Sequence, residues 1–223
     1  MEFKQGATVF TSDLRKVGTI YRVVIDPETK EVTHLVIRKG NLFVEDKVLP
    51  VDLVMSATED RVVLRSDIGD LQTLPRFEET HYIPLTEVDP DTIRLSDSAA
   101  ALYWYPPLGF ATWSYAPLAP FYVEFTERNI PENTVPLKVG SKVISREGKH
   151  LGNLEEIFTD PKTRRVTHFL ISKGLLLKER KFVPVRWISS VTEDEVHLKV
   201  ESRLLERLPD YHRDSDQAPA FTS

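Results

Sequence analysis

Residues 26–34 read Asp-Pro-Glu-Thr-Lys-Glu-Val-Thr-His, and residues 160–168 read Asp-Pro-Lys-Thr-Arg-Arg-Val-Thr-His. At the same offset the chain aligns with itself without a gap over residues 6–77 and 140–211, and 26 of these 72 positions are identical. Identity at that level over a gapless overlay indicates an internal duplication. The sequence therefore predicts two equivalent domains over those two ranges.

Each copy is predicted to be a small all-β barrel, because short runs of β-forming residues are separated by turn signals. Asp26-Pro27 predicts a turn in which the carboxylate accepts backbone N–H groups. The run that precedes it does not alternate cleanly between apolar and polar residues, so we expect a bulge near Gly18. In the first copy we expect strands at residues 9–11, 17–25, 32–37, 48–51, 54–58 and 62–64.

A short helix is expected after each barrel, because apolar residues recur there at helical spacing before Pro75 and Pro209. A domain of this size buries only about 60% of its unfolded surface. We therefore expect the barrels to share buried surface with each other, or with partners, through these helices or the segment between the copies. The apolar positions of the helices are Ile68, Leu71 and Leu74 in the first copy, and Leu204, Leu205 and Leu208 in the second.

The predicted organisation has four parts: a first barrel at residues 1–77, a proline- and aromatic-rich linker at 78–139, a second barrel at 140–211 and a flexible tail at 212–223. The linker contains a stretch without a charged side chain, from Ala99 to Val123. Its length would span a bilayer as a helix. Four prolines at about 3 kcal/mol each disfavour that helix.

Composition restricts the classes of function. The chain has no cysteine, which excludes disulfides and thiolate metal sites. Its net charge of −5 argues against a nucleic-acid partner, since phosphate binding needs a basic surface. The first six residues carry charge and lack the apolar stretch of a secretory signal. The sequence predicts a cytoplasmic protein and leaves contact with a membrane surface open.

Several short motifs occur in the same order in both copies. They are Gly-x-x-Val at 6–9 and 140–143, a Val/Leu-Gly step at 17–18 and 151–152, Val-Thr-His-Leu/Phe at 32–35 and 166–169, a Lys-Gly loop, and a Val/Leu-x-Val strand around Pro50 and Pro184.

In order and spacing these motifs resemble the PRC-barrel family, named for the cytoplasmic domain of photosynthetic reaction-centre H subunits. The resemblance implies an all-β fold of two PRC-type barrels in tandem. It also implies a protein-contact module rather than a catalyst. Similar domains occur in H subunits, in a ribosome-maturation factor and in stand-alone bacterial and archaeal proteins.

Four polar residues invite a chemical interpretation. His34 and His168 occupy equivalent strand positions, either as a pH-sensitive or metal-binding pair or as core histidines bonded to backbone. Zinc requires three or four ligands, and none lies at suitable spacing around them. Asp26 and Asp160 are interpreted as turn residues. Since no catalytic motif is present, we predict no enzyme activity, metal, cofactor or small-molecule substrate.

Candidate partner-binding residues lie in three segments. The loops after the two Lys-Gly steps carry apolar tips, which either close the barrel ends or contact a partner or membrane. The linker concentrates aromatic residues beside prolines, as docking segments and membrane-interface belts do. It either fills space within the molecule, binds a protein partner or a second copy of the chain, or touches a membrane. The candidates are Leu42, Phe43, Leu176 and Leu177 in the loops, and Tyr103, Trp104, Tyr105, Trp113 and Tyr115 in the linker.

The sequence thus favours a non-enzymatic protein-binding or assembly module that contacts a partner or itself through the linker and the loop tips. One alternative is a peripheral component of a membrane-associated, reaction-centre-like complex. A further alternative is an adaptor of the ribosome- or RNA-maturation type, against which the acidic balance weighs.

Overall fold

The computed structural model describes residues 1–39, 45–65, 73–84, 102–103, 122–173 and 179–212. The chain divides into two compact units. One comprises Met1–Pro75 together with Ile130–Ser223, and the other comprises Arg76–Asn129. Both copies of the repeat, apart from Arg76 and Phe77 at the end of the first, therefore belong to a single unit, and these two residues and most of the linker belong to another.

Each copy is mostly β-sheet, which confirms the predicted fold class. The six predicted strands of the first copy are present with ends within three residues of the predicted ones, and an additional strand precedes them. The strands of the first copy are β1 (Glu2–Lys4), β2 (Thr8–Phe10), β3 (Lys16–Ile25), β4 (Val32–Lys39), β5 (Glu45–Pro50), β6 (Val54–Ala57) and β7 (Arg61–Leu64).

Among the described residues, four strands lie between the two repeated ranges, and six strands and a helix belong to the second copy. The intervening strands are β8 (Glu78–Pro84), β9 (Leu102–Tyr103), β10 (Tyr122–Arg128) and β11 (Val135–Lys138). The second copy contains β12 (Lys142–Ile144), β13 (His150–Thr159), β14 (Val166–Lys173), β15 (Glu179–Pro184), β16 (Ile188–Val191), β17 (Glu195–Leu198) and α1 (Ser202–Glu206).

The two copies have the same topology. Their sheets run in the orders β5-β4-β3-β2-β7-β6 and β15-β14-β13-β12-β17-β16 and curl into half-barrels. The pairs β2–β7 and β12–β17 are parallel. A 3₁₀ turn at Val51–Leu53, and another at Val185–Trp187, carries the chain around the corner after β5 and β15.

A bulge bends the long strand of each copy, as predicted for Gly18. The β2–β3 register shifts after the Val9–Gly18 pair, and the β12–β13 register shifts after the Val143–Gly152 pair. Gly152 has a φ of +151°, and a Cβ there would lie 2.5 Å from the Ser172 carbonyl oxygen. Only glycine allows β14 to approach this bend so closely.

The turns after the long strands have the predicted chemistry. Asp26 Oδ1 accepts the N–H groups of Glu28 and Thr29 at 2.8 and 3.2 Å. Asp160 Oδ1 accepts those of the two equivalent residues, both at 2.8 Å. These bonds lower the pKa of both aspartates. The two carboxylates therefore hold the turns in shape, as the turn interpretation required.

The copies exchange their first strands. β1 pairs antiparallel with β13 of the second copy and places Phe3 opposite Ile157. β11 pairs with β3 of the first copy and places Leu137 opposite Val23. Phe3 and Leu137 precede the two repeated ranges at the same offset, and both are 0% exposed. Each barrel therefore completes its sheet with a strand that belongs to the other.

The turns themselves also join the two copies. The Val32 N–H donates to the Arg164 carbonyl at 3.1 Å, and the Val166 N–H donates to the Lys30 carbonyl at 2.8 Å. The Arg164 guanidinium forms an ion pair with Asp52. One cluster of buried hydrophobic residues consequently runs through both barrels.

The sequence predicted that the barrels share buried surface through the helices or the linker, and the structure shows which segments form this joint. The joint is made by β1, β11 and the two turns. β11 lies within residues 78–139, so part of the predicted linker is a sheet strand. The exchange was not predicted, because each barrel was expected to contain only its own strands. A signal was present: an apolar residue followed by lysine precedes both copies, as Phe3-Lys4 and Leu137-Lys138.

The helix after the second barrel is present as α1, which buries Leu205. The predicted apolar stripe is wrong at Leu204, which is 40% exposed, because a five-residue helix turns only one narrow face to the barrel. Leu208 is partly buried beyond the end of the helix. Of the stripe predicted after the first barrel, Ile68 and Leu71 lie outside the described residues.

Residues 76–129 contain a three-stranded antiparallel sheet in the order β8-β10-β9. Sequence reasoning treated this region as a linker and predicted none of these strands, because its prolines and lack of clean alternation hide them. Among the residues that the structure describes, no helix is long and apolar enough to cross a membrane.

Candidate docking site

The β8–β10 ladder is the frame of the linker region. It begins with Glu78 opposite Arg128, whose side chains pair at 3.2 Å, and ends with Pro84 opposite Tyr122. Seven residue pairs at about 3.4 Å each separate the two ends by roughly 20 Å. The chain enters and leaves this unit at the first end. The uncharged aromatic stretch is thus attached at the opposite end of the ladder.

A second pairing closes the aromatic stretch at its base. β9 pairs with β10, with Tyr103 opposite Tyr122 and Leu102 opposite Val123. The eighteen residues 104–121 therefore start and finish at neighbouring ladder positions. This pairing was not predicted. The structure brings the predicted candidate Tyr103 into a β-ladder, and Trp104, Tyr105, Trp113 and Tyr115 lie outside the described residues.

The apolar loop candidates follow strand ends that are paired alike in the two copies. Lys39 lies opposite Glu45, and Lys173 lies opposite Glu179. Five residues separate the members of each pair. The candidates between them, namely Leu42, Phe43, Leu176 and Leu177, lie outside the described residues.

An arginine–carboxylate pair braces each of these strand ends. In the first copy the Arg38 guanidinium donates two 2.8 Å bonds to Asp46 and lies 3.4 Å from the centre of the Tyr21 ring. The Asp46 carboxylate raises the pKa of Arg38. In the second copy Arg180 donates to Glu155 at 3.1 and 2.7 Å. Bidentate pairing of this kind fixes the strands from which each loop departs.

His34 lies between Val24 and Pro50 in the sheet of the first copy and is partly buried. Its buried Nδ1 atom makes no hydrogen bond with any described residue. The hydrogen bond to backbone that the core interpretation expects is therefore not made by the Nδ1 atom of His34. Burial lowers the pKa of its imidazole, while Asp52 opposes that shift.

His168 occupies the equivalent position but has an aromatic neighbour. Its ring stacks on Phe182, with centroids 4.2 Å apart and planes inclined by 15°. Burial lowers the pKa of His168, and the charge of Arg186 lowers it further. Within the described ranges, no group of three or more His, Asp and Glu side chains could hold a metal ion.

An open cleft of about 230 Å³ lies at one end of the second barrel. Two of its lysines are paired: Lys149 with Glu206 at 3.6 Å, and Lys181 with Asp210 at 2.7 Å. Among the described residues that line the cleft, none is a serine, threonine, cysteine or histidine. The lining residues are Lys149, Leu151, Ile171, Lys173, Glu179, Lys181, Leu205, Glu206 and Asp210.

Phe182 and Tyr211 are two aromatic residues that sequence reasoning missed. Both are partly exposed and stack on each other, with centroids 5.4 Å apart. The available signal was a difference between the copies, since the equivalents of Phe182 and Tyr211 are Val48 and Phe77.

Comparison with known families gives one match. The sequence profile described as PRC-barrel domain matches residues 5–71 and again residues 139–204. The two matched segments coincide with the two half-barrels and together cover more than half of the chain. No curated protein matches the chain as a relative.

Proposed function

The chain belongs to the PRC-barrel domain family, and we propose that it is a non-enzymatic, cytoplasmic protein-binding or assembly module. The binding element is the uncharged aromatic loop 104–121. It binds a protein partner or a second copy of the chain. The apolar loops 40–44 and 174–178 add a second contact region.

The observation that carries this proposal is the pairing of Tyr103 with Tyr122 at the end of the β8–β10 ladder. A loop whose ends are fixed loses less conformational entropy on binding than a free linker does. Its tryptophans and tyrosines are the residue types that dominate interface energies. Its prolines restrict the backbone further.

The barrels support a scaffold role. PRC-barrel domains are generally non-catalytic. Strand exchange joins the two copies through a continuous core, so they form one rigid support rather than two independent modules. A rigid support suits an assembly protein, because it fixes the spacing between its contact regions.

The ladder geometry allows a sharp test. Because Tyr103 and Tyr122 are direct partners, a two-residue Asn-Gly turn can replace residues 104–121 without altering β9 or β10. We expect this variant to keep its fold and to lose the oligomer or the partner that copurifies with the full chain. A second variant keeps the loop but replaces Trp104 and Trp113 by serine, and we expect the same loss of the oligomer or the partner.

Three measurements, made on both variants in parallel, decide the outcome: light scattering after size exclusion, affinity isolation from the native cell, and sedimentation with liposomes. Unchanged oligomeric state and unchanged partners in both variants would reject the proposal. Loss of sedimentation with liposomes, without loss of any protein partner, would reject it in favour of a membrane-peripheral role. Loss of a ribosomal partner alone would assign the maturation-adaptor role instead.

A further inference from the structure

The second barrel carries a stack of aromatic rings on its surface. Phe182 stands in the middle, stacked on His168 at 4.2 Å and on Tyr211 at 5.4 Å between ring centroids. Phe158 supports the stack from the side, with its ring edge-on to Phe182 at 4.9 Å. Phe158 is buried, whereas the three stacked rings are partly exposed. The stack therefore presents a preformed aromatic surface.

Tyr211 forms one end of this stack. Its backbone N–H donates to the Arg180 carbonyl at 2.8 Å, which fixes the residue alongside β15. Its own carbonyl accepts no hydrogen bond from the described part of the chain. Tyr211 thus offers one aromatic ring and one backbone acceptor to an incoming group.

The counterpart of Tyr211 at the end of the first repeated range contacts an arginine-bearing segment. Phe77, the counterpart of Tyr211, is 3% exposed. The Asn129 N–H donates to the Phe77 carbonyl at 3.1 Å, and the Arg128 guanidinium carbon lies 5.8 Å from the centre of the Phe77 ring. An extended segment therefore bonds the Phe77 carbonyl and brings an arginine, which also pairs with Glu78 at 3.2 Å, close to the Phe77 ring.

We propose that Tyr211 and Phe182 bind an extended, arginine-bearing segment of a partner protein, in the manner in which Arg128 and Asn129 contact Phe77. This site is distinct from the aromatic loop 104–121 and does not depend on it. A guanidinium over a tyrosine ring gives a favourable cation–π contact. The partner backbone donates to the Tyr211 carbonyl.

The charges around the site are compatible with an arginine. Two nearby cations are each paired with a carboxylate, Lys181 with Asp210 and Arg180 with Glu155. Their charges are therefore compensated and do not repel an incoming arginine. The charge of Arg186 lowers the pKa of His168, and His168 lies at the other end of the stack from Tyr211. His212 follows Tyr211 and is exposed.

The chain supplies its own probe, the acetylated and amidated peptide Thr-Glu-Arg-Asn-Ile-Pro, which copies residues 126–131. We expect titration of the full chain with this peptide to shift the NMR signals of Tyr211, Phe182 and His168 in a saturable way. Replacing the peptide arginine by glutamine should weaken binding about two- to fivefold, the range of an exposed cation–π contact.

Two protein variants make a matched pair. Tyr211→Phe keeps the ring and reproduces the residue of the first copy, so we expect it to bind the peptide as the wild type does. Tyr211→Ala removes the ring and should abolish saturable shifts. Equal binding by the alanine variant, or equal binding of the glutamine peptide, would overturn the proposal.

Truncation of the chain after His212 tests whether residues 213–223, rather than a partner protein, bind this site. If residues 213–223 occupied the surface, truncation would shift the Tyr211 signal, and only the truncated chain would bind the peptide. That result would reject a partner segment in favour of the chain's own tail. Absence of saturable shifts in both the full and the truncated chain would reject the site altogether.

Discussion

Phe3 lies directly opposite Ile157 in the β1–β13 ladder and is fully buried, although the two residues belong to different copies of the repeat. Leu137 has the same relationship to Val23. A barrel of this size buries a small fraction of its unfolded surface and is therefore only marginally stable alone. Exchange of the first strands gives each barrel an additional buried side chain and merges the two cores.

The first prediction is that both copies unfold together and that Phe3→Ala destabilises both. Truncating a buried phenylalanine costs about 3–5 kcal/mol. Hydrogen exchange should show that amide protection falls in both β3 and β13. Denaturant unfolding of the variant should show a single transition. Leu14→Ala is the control, since Leu14 is 63% exposed and its truncation should change little. Separate transitions for the two copies would contradict the shared core.

The second prediction concerns Gly152. In Gly152→Ala the new Cβ would meet the Ser172 carbonyl oxygen at 2.5 Å, so β14 must move away. Gly148→Ala is the matched control, because Gly148 also has positive φ, at +80°, but has open space around it. We expect urea denaturation to show a loss of about 1 kcal/mol for the control. The Gly152 variant should lose roughly 1–3 kcal/mol more. Equal losses would show that close packing plays no part.

The third prediction is a gain in stability for Leu14→Gly. Leu14 has a φ of +61° in the turn after β2, where the second copy has Gly148. A left-handed conformation costs a side-chain-bearing residue about 1–2 kcal/mol, which the greater freedom of glycine in the unfolded chain partly offsets. Thermal unfolding should show a net gain of about 0.5–1 kcal/mol. Leu14→Ala retains the strained conformation and should show no comparable gain.

The fourth prediction concerns acid stability. The Ser202 hydroxyl and N–H lower the pKa of Glu147 to about 2, and the N–H bond measures 2.9 Å. Because the folded pKa lies below the unfolded one, the ionised carboxylate stabilises the start of α1 above about pH 4.5. This stabilisation is lost as the pH falls toward 2. Glu147→Gln should therefore flatten the acid limb of the unfolding profile. An unchanged limb would contradict the role of Glu147.

The fifth prediction concerns His34, whose pKa is lowered by burial. Below about pH 6.5 the unfolded chain takes up a proton that the folded imidazole resists, so stability falls as the pH decreases. His34→Gln should reduce this dependence below about pH 6.5. NMR titration of the His34 ring provides the direct measurement, and a midpoint at or above 6.5 would refute the prediction.

Local signals in the sequence determined the repeat, the strands, the bulge and the turns. Asp26 and Asp160 each sit beside a proline and bond the next N–H groups whatever surrounds them. Gly18 and Gly152 both lie at the bends, and at Gly152 a Cβ would meet the Ser172 carbonyl oxygen at 2.5 Å. Such features depend on a few neighbouring residues and could be read directly from the chain.

Only the tertiary structure decided which barrel each first strand would complete. β3 and β13 are equivalent edges, and nothing near Phe3 distinguishes them, so the choice depends on how the two barrels pack. The same holds for Tyr103, whose partner Tyr122 lies nineteen positions away across a segment without strand periodicity. It holds for the stacking of Phe182 on Tyr211, which requires β15 and the chain after α1 to meet. Contacts between distant segments are set by the free energy of the whole fold.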